Sequence, residues 1–407
     1  MRYIIESNGR CRSLGLFGDI GAPVSKQMLL QYSSKETEQQ ILSHISTSNL
    51  VAHGTFGSTG RNGTSWKNLI IKGDNLIALQ SLIKQKNLKE KVDLIYIDPP
   101  FSTNQIFRKG TQRTATISSS KSDEVAYEDI LDGPEYVEYI RWRLILLKKI
   151  LSQEGSIYIH IDYKIGHYVK IIMDEIFSRK NFINDITRIK CNPKNFKRKG
   201  YGNIKDLILF YAKSEDYIWN NSVESFADED IEKLFSKIDK KGRRYTTTPL
   251  HAPGETRNGA TGQPWKNLHP PKGRHWRYSP QELTILDKEG LIEWSSTGNP
   301  RKIIYADEKL IHGKKKQDIW EYKDPPNPRY PTEKNLKMIQ SIIRTSSKSD
   351  SIVLDCFAGS GTTAIAAENE KRKWIVIDSS NISIQTIKER LLSSGETISP
   401  FSILEVV

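Results

Sequence analysis

Residues 353–367 read VLDCFAGSGTTAIAA. An apolar run leads to an acid, Asp355. A turn carrying Gly359 and Gly361 follows, and small and apolar residues then continue at helical spacing. The two glycines let the backbone approach a ligand where a Cβ would clash. The helix start offers unpaired N–H groups and the positive end of the helix dipole. About twenty residues on, the apolar run KWIVID ends at Asp378, where a carboxylate can hold both hydroxyls of a ribose. Strand, glycine turn, helix, strand and acid together predict a nucleoside-cofactor site in an α/β sheet. The turn has neither the GKS or GKT ending of a phosphate loop nor the full GxGxxG of a dinucleotide site.

The same alternation extends upstream. NLIIK (68–72) precedes helically spaced apolar residues. VDLIYI (92–97) stops at Asp98-Pro99-Pro100-Phe101. A helix beginning near Pro134 leads to SIYIHID (156–162), then to a helix over 165–177 and strands over 183–189 and 206–211. The alternation lapses between about residues 213 and 331, in a block rich in Gly, Pro, Trp, Arg and Lys. It resumes with a helix over 333–344. These periods predict one mostly parallel α/β sheet, with helices on both faces, split by an insertion. The Gly/Ser/Thr-rich stretch HGTFGSTGRNGTS (53–65) reads as a loop or linker, after a helix over 35–46.

Two prolines after a buried strand end the hydrogen-bond ladder and stiffen the turn. Asp98 at the strand tip, the Pro99 carbonyl and the Phe101 ring present two acceptors and an aromatic face. That set suits a planar group bearing an exocyclic amine. An ordinary strand-ending turn is the plainer reading of Asp-Pro, but it does not ask for the second proline and the aromatic.

Charge narrows the partner. Lys and Arg number 61 against 48 Asp and Glu, a surplus of 61 − 48 = +13 that suggests a polyanion. The conspicuous basic runs are NPKNFKRKG (192–200), KGRR (241–244), KGRHWR (272–277) and GKKK (313–316), in or beside the insertion. Lys197, Arg198, Lys199, Arg243, Arg244, Arg274 and Arg277 are the candidates for phosphate contact. Trp265 and Trp276 are expected to pack the insertion's core. Ser360, Thr362 and Thr363 read equally as helix caps and as cofactor contacts. Three cysteines, widely spaced, exclude a disulfide framework, and the eight histidines show no metal-ligand spacing, so no metal is assigned. No apolar window is long enough to span a bilayer, and no signal peptide is recognisable, so a soluble, cytoplasmic, nucleoid-associated protein without a membrane partner is expected.

DPPF followed far downstream by DCFAGSGTT resembles the S-adenosylmethionine-dependent DNA amino-methyltransferases, in the beta-type order that puts DPPF first. GDNL (73–76) resembles the family's cofactor-side motif, and YPTEKNLKMI (330–339) resembles the helix that precedes the glycine turn. The inserted block resembles the target-recognition region of Type III modification subunits and related solitary enzymes. Here Tyr330 and Asn335 stand where the family usually has His and Pro, and Asp378 where it often has Glu. The resemblance implies a Rossmann-like methyltransferase fold with an inserted target-recognition domain. The expected organisation is an N-terminal arm (1–64), a first catalytic part (65–212), the recognition domain (213–329) and a second catalytic part (330–407).

The same resemblance implies S-adenosyl-L-methionine as cofactor, held by Asp74, Thr332, Lys334, Asp355, Phe357, Gly359, Ser360, Gly361, Thr362 and Asp378. It implies catalysis by Asp98, Pro99, Pro100 and Phe101 on the N6 amine of an adenine flipped out of double-stranded DNA. A homodimer and a restriction subunit are the protein partners it admits. Competing readings are cytosine-N4 methylation, for which the family more often has Ser at the Asp98 position, methylation of an RNA amine, and a catalytically idle DNA-binding regulator. A nicotinamide enzyme is disfavoured, because DPPF has no role in hydride transfer.

Overall fold

The computed structural model describes residues 3–5, 11–13, 29–57, 66–100, 105–109, 124–129, 133–193, 199–226, 228–311, 313–326, 328–331, 333–393 and 398–407. Ten strands form the main sheet. They are β1 (Leu50–Phe56), β2 (Asn68–Lys72), β3 (Val92–Ile97), β4 (Leu151–Ile161), β5 (Phe182–Ile189), β6 (Lys205–Ala212), β7 (Ile319–Glu321), β8 (Ile352–Asp355), β9 (Lys373–Asp378) and β10 (Phe401–Val406). Their spatial order is β7-β5-β6-β4-β3-β8-β9-β2-β10-β1. The run β4-β3-β8-β9-β2-β10 is parallel throughout. β6 is antiparallel to both its neighbours, and β1 is antiparallel to β10.

Among the described residues the main helices on the sheet are α1 (Asn75–Gln85), α2 (Gly133–Ile150), α3 (Gly166–Phe177), α4 (Leu336–Ser346), α5 (Thr362–Asn369) and α6 (Asn381–Leu392). Successive strand residues serve opposite faces. Ile375 and Ile377 of β9 join the core under α1–α3, whereas Trp374 and Val376 join the core under α4–α6. The expected mostly parallel α/β sheet, covered on both faces, is therefore the one found.

The chain leaves β3 through α2 on one face and leaves β8 through α5 on the other. These two strands are neighbours, Val353 opposite Leu94. Helices departing to opposite faces open a crevice beyond the carboxyl ends of β3 and β8, where open α/β sheets bind ligands. Among the described residues no helix is long and apolar enough to cross a membrane.

Three segments depart from the expected elements. The stretch read as a loop from His53 belongs, through Phe56, to edge strand β1. Its burial is too slight for a clear apolar period, and pairing with β10 supplies its order. β10 itself, beyond the last helix read from the sequence, enters the sheet between β2 and β1. Ile319–Glu321, within the insertion, returns to the main sheet as its far edge. Before β1, helix Glu38–His44 carries a Thr37–Gln40 capping box and buries Ile41 in the α1–α3 core.

Inside the insertion, Lys237–Ile238, Arg244–Pro249, Pro300–Tyr305 and Ile292–Trp294 make a separate antiparallel sheet. Trp265 and Trp276, both nearly fully buried, pack with Leu250 and Leu283 there, as the packing reading expects.

Candidate active site

β3 delivers Asp98 and Pro99 to the crevice. The Tyr136 hydroxyl of α2 donates to the Pro100 carbonyl at 2.5 Å and fixes the turn. Lys334, just ahead of α4, places Nζ 2.5 Å from Asp98 Oδ2. Asp98 Oδ1 is buried and has no hydrogen-bond partner among the described residues. A buried carboxylate oxygen left unbonded is costly, so this one is available to a donor that enters the crevice.

The glycine turn lies at the tip of β8. Gly359 (φ 50°) and Gly361 (φ 77°) both adopt left-handed backbone. At Gly361 a Cβ would come within 2.5 Å of Ile387 Cγ1, so helix α6 packs where only glycine fits. Asp355 is buried and accepts from the Phe357 amide at 2.9 Å and the Thr363 hydroxyl at 2.6 Å. Burial pushes its carboxyl up to about 7, against those two hydrogen bonds. Asp378, at the tip of β9, accepts from the amides of Gly359 (2.8 Å) and Ser380 (2.9 Å). Burial also raises its carboxyl above the usual range.

Ser360 and Thr362 share a hydroxyl–hydroxyl bond of 2.9 Å, and α5 has no side-chain cap. Neither residue serves as a helix cap, which leaves that half of the sequence reading unfilled. Asp74 does cap: its Oδ1 accepts from Leu76 and Ile77 at the start of α1. Phe357 packs beside Tyr139 of α2 at 6.3 Å between ring centroids. Phe101, Thr332, Lys197 and Arg198 lie outside the described residues.

The structure adds residues that were not among the candidate contacts read from the sequence. Arg390 of α6 donates to the Ser360 carbonyl at 2.7 Å and pairs with Glu333 at 2.9 Å, tying the segment that carries Lys334 to the glycine turn. Tyr330 packs against Ile382, with its ring over Gly359. Asn75 donates to the Cys356 carbonyl and accepts from Arg143, linking α1 and α2 to the tip of β8. His160, fully buried on β4, stands beside Asp98. A histidine near the polar end of the otherwise apolar run SIYIHID was the one sequence signal for it.

The basic candidates of the insertion are spread over several settings. Arg243 stacks on Tyr305 and forms paired bonds of 3.0 Å to Asp307, with Glu308 at 2.9 Å. Arg244 lies 3.5 Å from Glu232. Arg274 and Arg277 are exposed, Arg274 beside His251 at 3.2 Å, and Lys199 is exposed at the rim of the β5–β6 connection. Among the described residues no cluster of His, Cys, Asp and Glu has metal-binding geometry.

A family model described as DNA methylase matches residues 92–389. This chain belongs to the DNA methylase family. It is 40% identical over 375 residues to the Type II methyltransferase M.EcaI of Enterobacter cloacae, a match covering 90% of this chain and 78% of that one. It is 28% identical over 414 residues to the Type III restriction-modification enzyme EcoPI Mod subunit of Escherichia phage P1, covering 85% of this chain and 63% of the subunit. Among solved structures, the M1.HpyAVI–SAM complex aligns with 79% of this chain and 100% of its own, at 17% identity and a TM-score of 0.40. The protein is a DNA methyltransferase, and S-adenosylmethionine is its methyl donor.

Proposed function

We propose that this methylase transfers its methyl group to the N6 amine of an adenine turned out of double-stranded DNA, with Asp98 as the residue that receives the amine. The observation that carries this reading is the Asp98 carboxylate. One oxygen is taken by Lys334, and the other is buried, without a hydrogen-bond partner among the described residues, at the tip of the strand beside the glycine turn.

The crevice suits its donor. S-adenosylmethionine, when bound, supplies an electrophilic methyl on a sulfonium cation. Asp98, Asp355 and Asp378 stand at or beside the tips of three adjacent strands, and a cation bound there would draw the burial-raised Asp355 and Asp378 carboxyls toward their charged form. Asp378 would hold the ribose. The left-handed Gly359–Gly361 turn would meet the nucleoside with backbone, and Phe357 would close its apolar side. Thr362, Asp74, Lys334 and Thr332, the last outside the described residues, complete the set read from the sequence, although Asp74 caps α1 and Lys334 faces Asp98.

An aryl amine is a poor nucleophile, because its lone pair is spread into the ring. Asp98 Oδ1 and the Pro99 carbonyl, each accepting one N–H, draw the nitrogen toward tetrahedral geometry and localise that pair. Asp98 then offsets the positive charge that develops on the nitrogen. Holding the amine in line removes up to about 7–11 kcal/mol of the barrier in the ideal limit. Phe101 would stack on the base. Extruding that base costs a few kcal/mol.

The insertion is the reading surface in this proposal. Lys197, Arg198, Lys199, Arg243, Arg244, Arg274 and Arg277 would meet phosphates, and base-edge contacts would set the target sequence. The names of the Type III Mod relatives suggest a restriction subunit as partner, and a second copy of the chain is expected from the family resemblance alone. Digesting DNA from cells that express the protein, and separating its nucleosides, tests the reading. N6-methyladenine is expected, and N4-methylcytosine, or no modified nucleoside, would refute it.

A further inference from the structure

Behind Asp98 a row of ionisable side chains crosses four strands on the face covered by α4–α6. His160 of β4 comes first, with Nδ1 4.0 Å from Asp98 Oδ1. Its Nε2 lies 3.0 Å from Asp206 Oδ2 on β6. Asp206 in turn meets Lys190 Nζ at 2.6 Å and Arg188 Nη1 at 3.4 Å. Arg188 of β5 ends the row on the insertion's return segment, 2.5 Å from Asp324 Oδ1 and 2.8 Å from the Tyr322 carbonyl. His160 and Arg188 have no solvent exposure at all, and Asp206 has 2%.

The partners decide the histidine's proton. Burial alone would raise the Asp206 carboxyl, but its bond with His160 and the charges of Lys190 and Lys334 hold it well below the usual range. Asp206 is therefore an acceptor, so Nε2 carries the imidazole proton. Nδ1 then offers a lone pair, which the Tyr96 hydroxyl meets at 2.9 Å. Burial pushes His160 protonation below the ordinary histidine value, against the pull of Asp206 and Asp98.

We propose that His160, backed by Asp206, is a positioning residue for Asp98. As neutral imidazole it leaves Asp98 Oδ1 to the target amine. As imidazolium it carries a second N–H, at Nδ1, between the Tyr96 hydroxyl at 2.9 Å and Asp98 Oδ1 at 4.0 Å, and its positive charge draws that carboxylate oxygen away from the amine. The inference rests on the reading of Asp98 as the acceptor of the amine. The groups facing His160 are Tyr96, Asp98, Lys334 and Asp206, with Arg188 and Lys190 beyond Asp206. Of these, only histidine ordinarily titrates between pH 5 and 8.

The test is the pH dependence of single-turnover methylation by the full-length protein and its His160→Gln variant. Binding of S-adenosylmethionine and of DNA is measured separately on the same proteins. The wild type should lose activity as pH falls through a value below 6.5, histidine's ordinary pKa here. His160→Gln should lack that acid limb. Its rate at pH 8 should fall roughly 10- to 100-fold, the cost of an imperfectly held acceptor, with both binding constants unchanged. An unaltered limb in this variant overturns the inference.

Asp206→Asn gives a second reading that does not remove the histidine. Losing the anion should move the limb to lower pH, and an unmoved limb counts equally against the proposal. Asp98→Ala separates the two levels. Activity retained there defeats the amine reading itself, whereas a normal acid limb in His160→Gln defeats only the role given to His160.

Discussion

Lys334 Nζ lies 2.5 Å from Asp98 Oδ2, although 334 − 98 = 236 positions separate the two residues. The pair joins the strand that delivers Asp98 to the segment that returns from the insertion. That segment is itself pinned by Glu333 to Arg390 and by Tyr330 over Gly359. Both side chains are largely buried, at 9% and 16% exposure. Removing one partner therefore strands a charge, at up to about 3–5 kcal/mol. Lys334→Met should lower the melting temperature and cut the single-turnover rate roughly 10- to 100-fold, and Lys334→Arg should recover part of both. Thermal melts and rate measurements check this, and a variant with the wild-type rate would contradict it.

Asp98→Ala should abolish methylation while S-adenosylmethionine still binds, because in the proposed site the donor is assigned to the glycine turn and Asp378, which lie on different strands from Asp98. Isothermal titration alongside a methyl-transfer assay separates the two. Loss of cofactor binding together with activity would argue that Asp98 serves the donor rather than the base.

Gly361→Ala should be far more damaging than Gly290→Ala. Both glycines have left-handed backbone, φ 77° and φ 71°. That strain alone costs on the order of 1 kcal/mol. At Gly361 the new Cβ would also meet Ile387 at 2.5 Å, whereas at Gly290 nothing lies within 4 Å. Denaturant melts should show a loss near 1 kcal/mol at Gly290 and a clearly larger one at Gly361, with cofactor binding weakened only at Gly361.

Asp355 should make stability depend on pH. Burial raises its carboxyl from the ordinary 3.8 to about 7 in the folded chain. Between those values the native state holds a proton that the unfolded chain has released, so stability falls as pH rises from about 4 to about 7 and stays lower above. Asp378, also raised by burial, acts with the same sign. Asp355→Asn should therefore flatten, without abolishing, the fall in melting temperature between pH 5 and pH 8. A slope identical to wild type would show that Asp355 ionises normally in the fold.

DNA binding should weaken steeply with salt, each phosphate-contacting cation contributing about one unit to the log–log slope. Arg274→Ala and Arg277→Ala should each lower that slope without changing the melting temperature. Arg243→Ala should weaken binding and also loosen the insertion, since Arg243 bridges to Asp307 and Glu308. Fluorescence anisotropy across a salt series, with parallel melts, distinguishes the two kinds of arginine. A flat salt dependence would return the net charge of +13 to a general role in solubility.

Much of the frame was legible in the sequence because it is local. Helix α3, Gly166–Phe177, lies within one residue of the 165–177 read from the sequence, and helix 333–344 begins three residues later than read, at Leu336, because Asn335 supplies the cap. Strands β3, β8 and β9 announce themselves as apolar runs that end in an acid. Edge strands β1 and β7, and β10 beside β1, were not legible. They are short or half-exposed, so they carry little periodicity of their own and are ordered by their neighbours.

The sequence by itself determined the α/β class, the insertion, and the two turns that carry Asp98 and the glycines. Each is written in consecutive residues whose backbone preferences and burial period need no distant partner. Only the tertiary structure decided that β3 and β8 lie side by side, that Lys334 takes one Asp98 oxygen, and that His160, Asp206 and Arg188 line up behind the other. Those relationships cross strands from widely separated parts of the chain. They depend on strand order and register, and nothing in the spacing of neighbouring residues encodes which strand tips will meet.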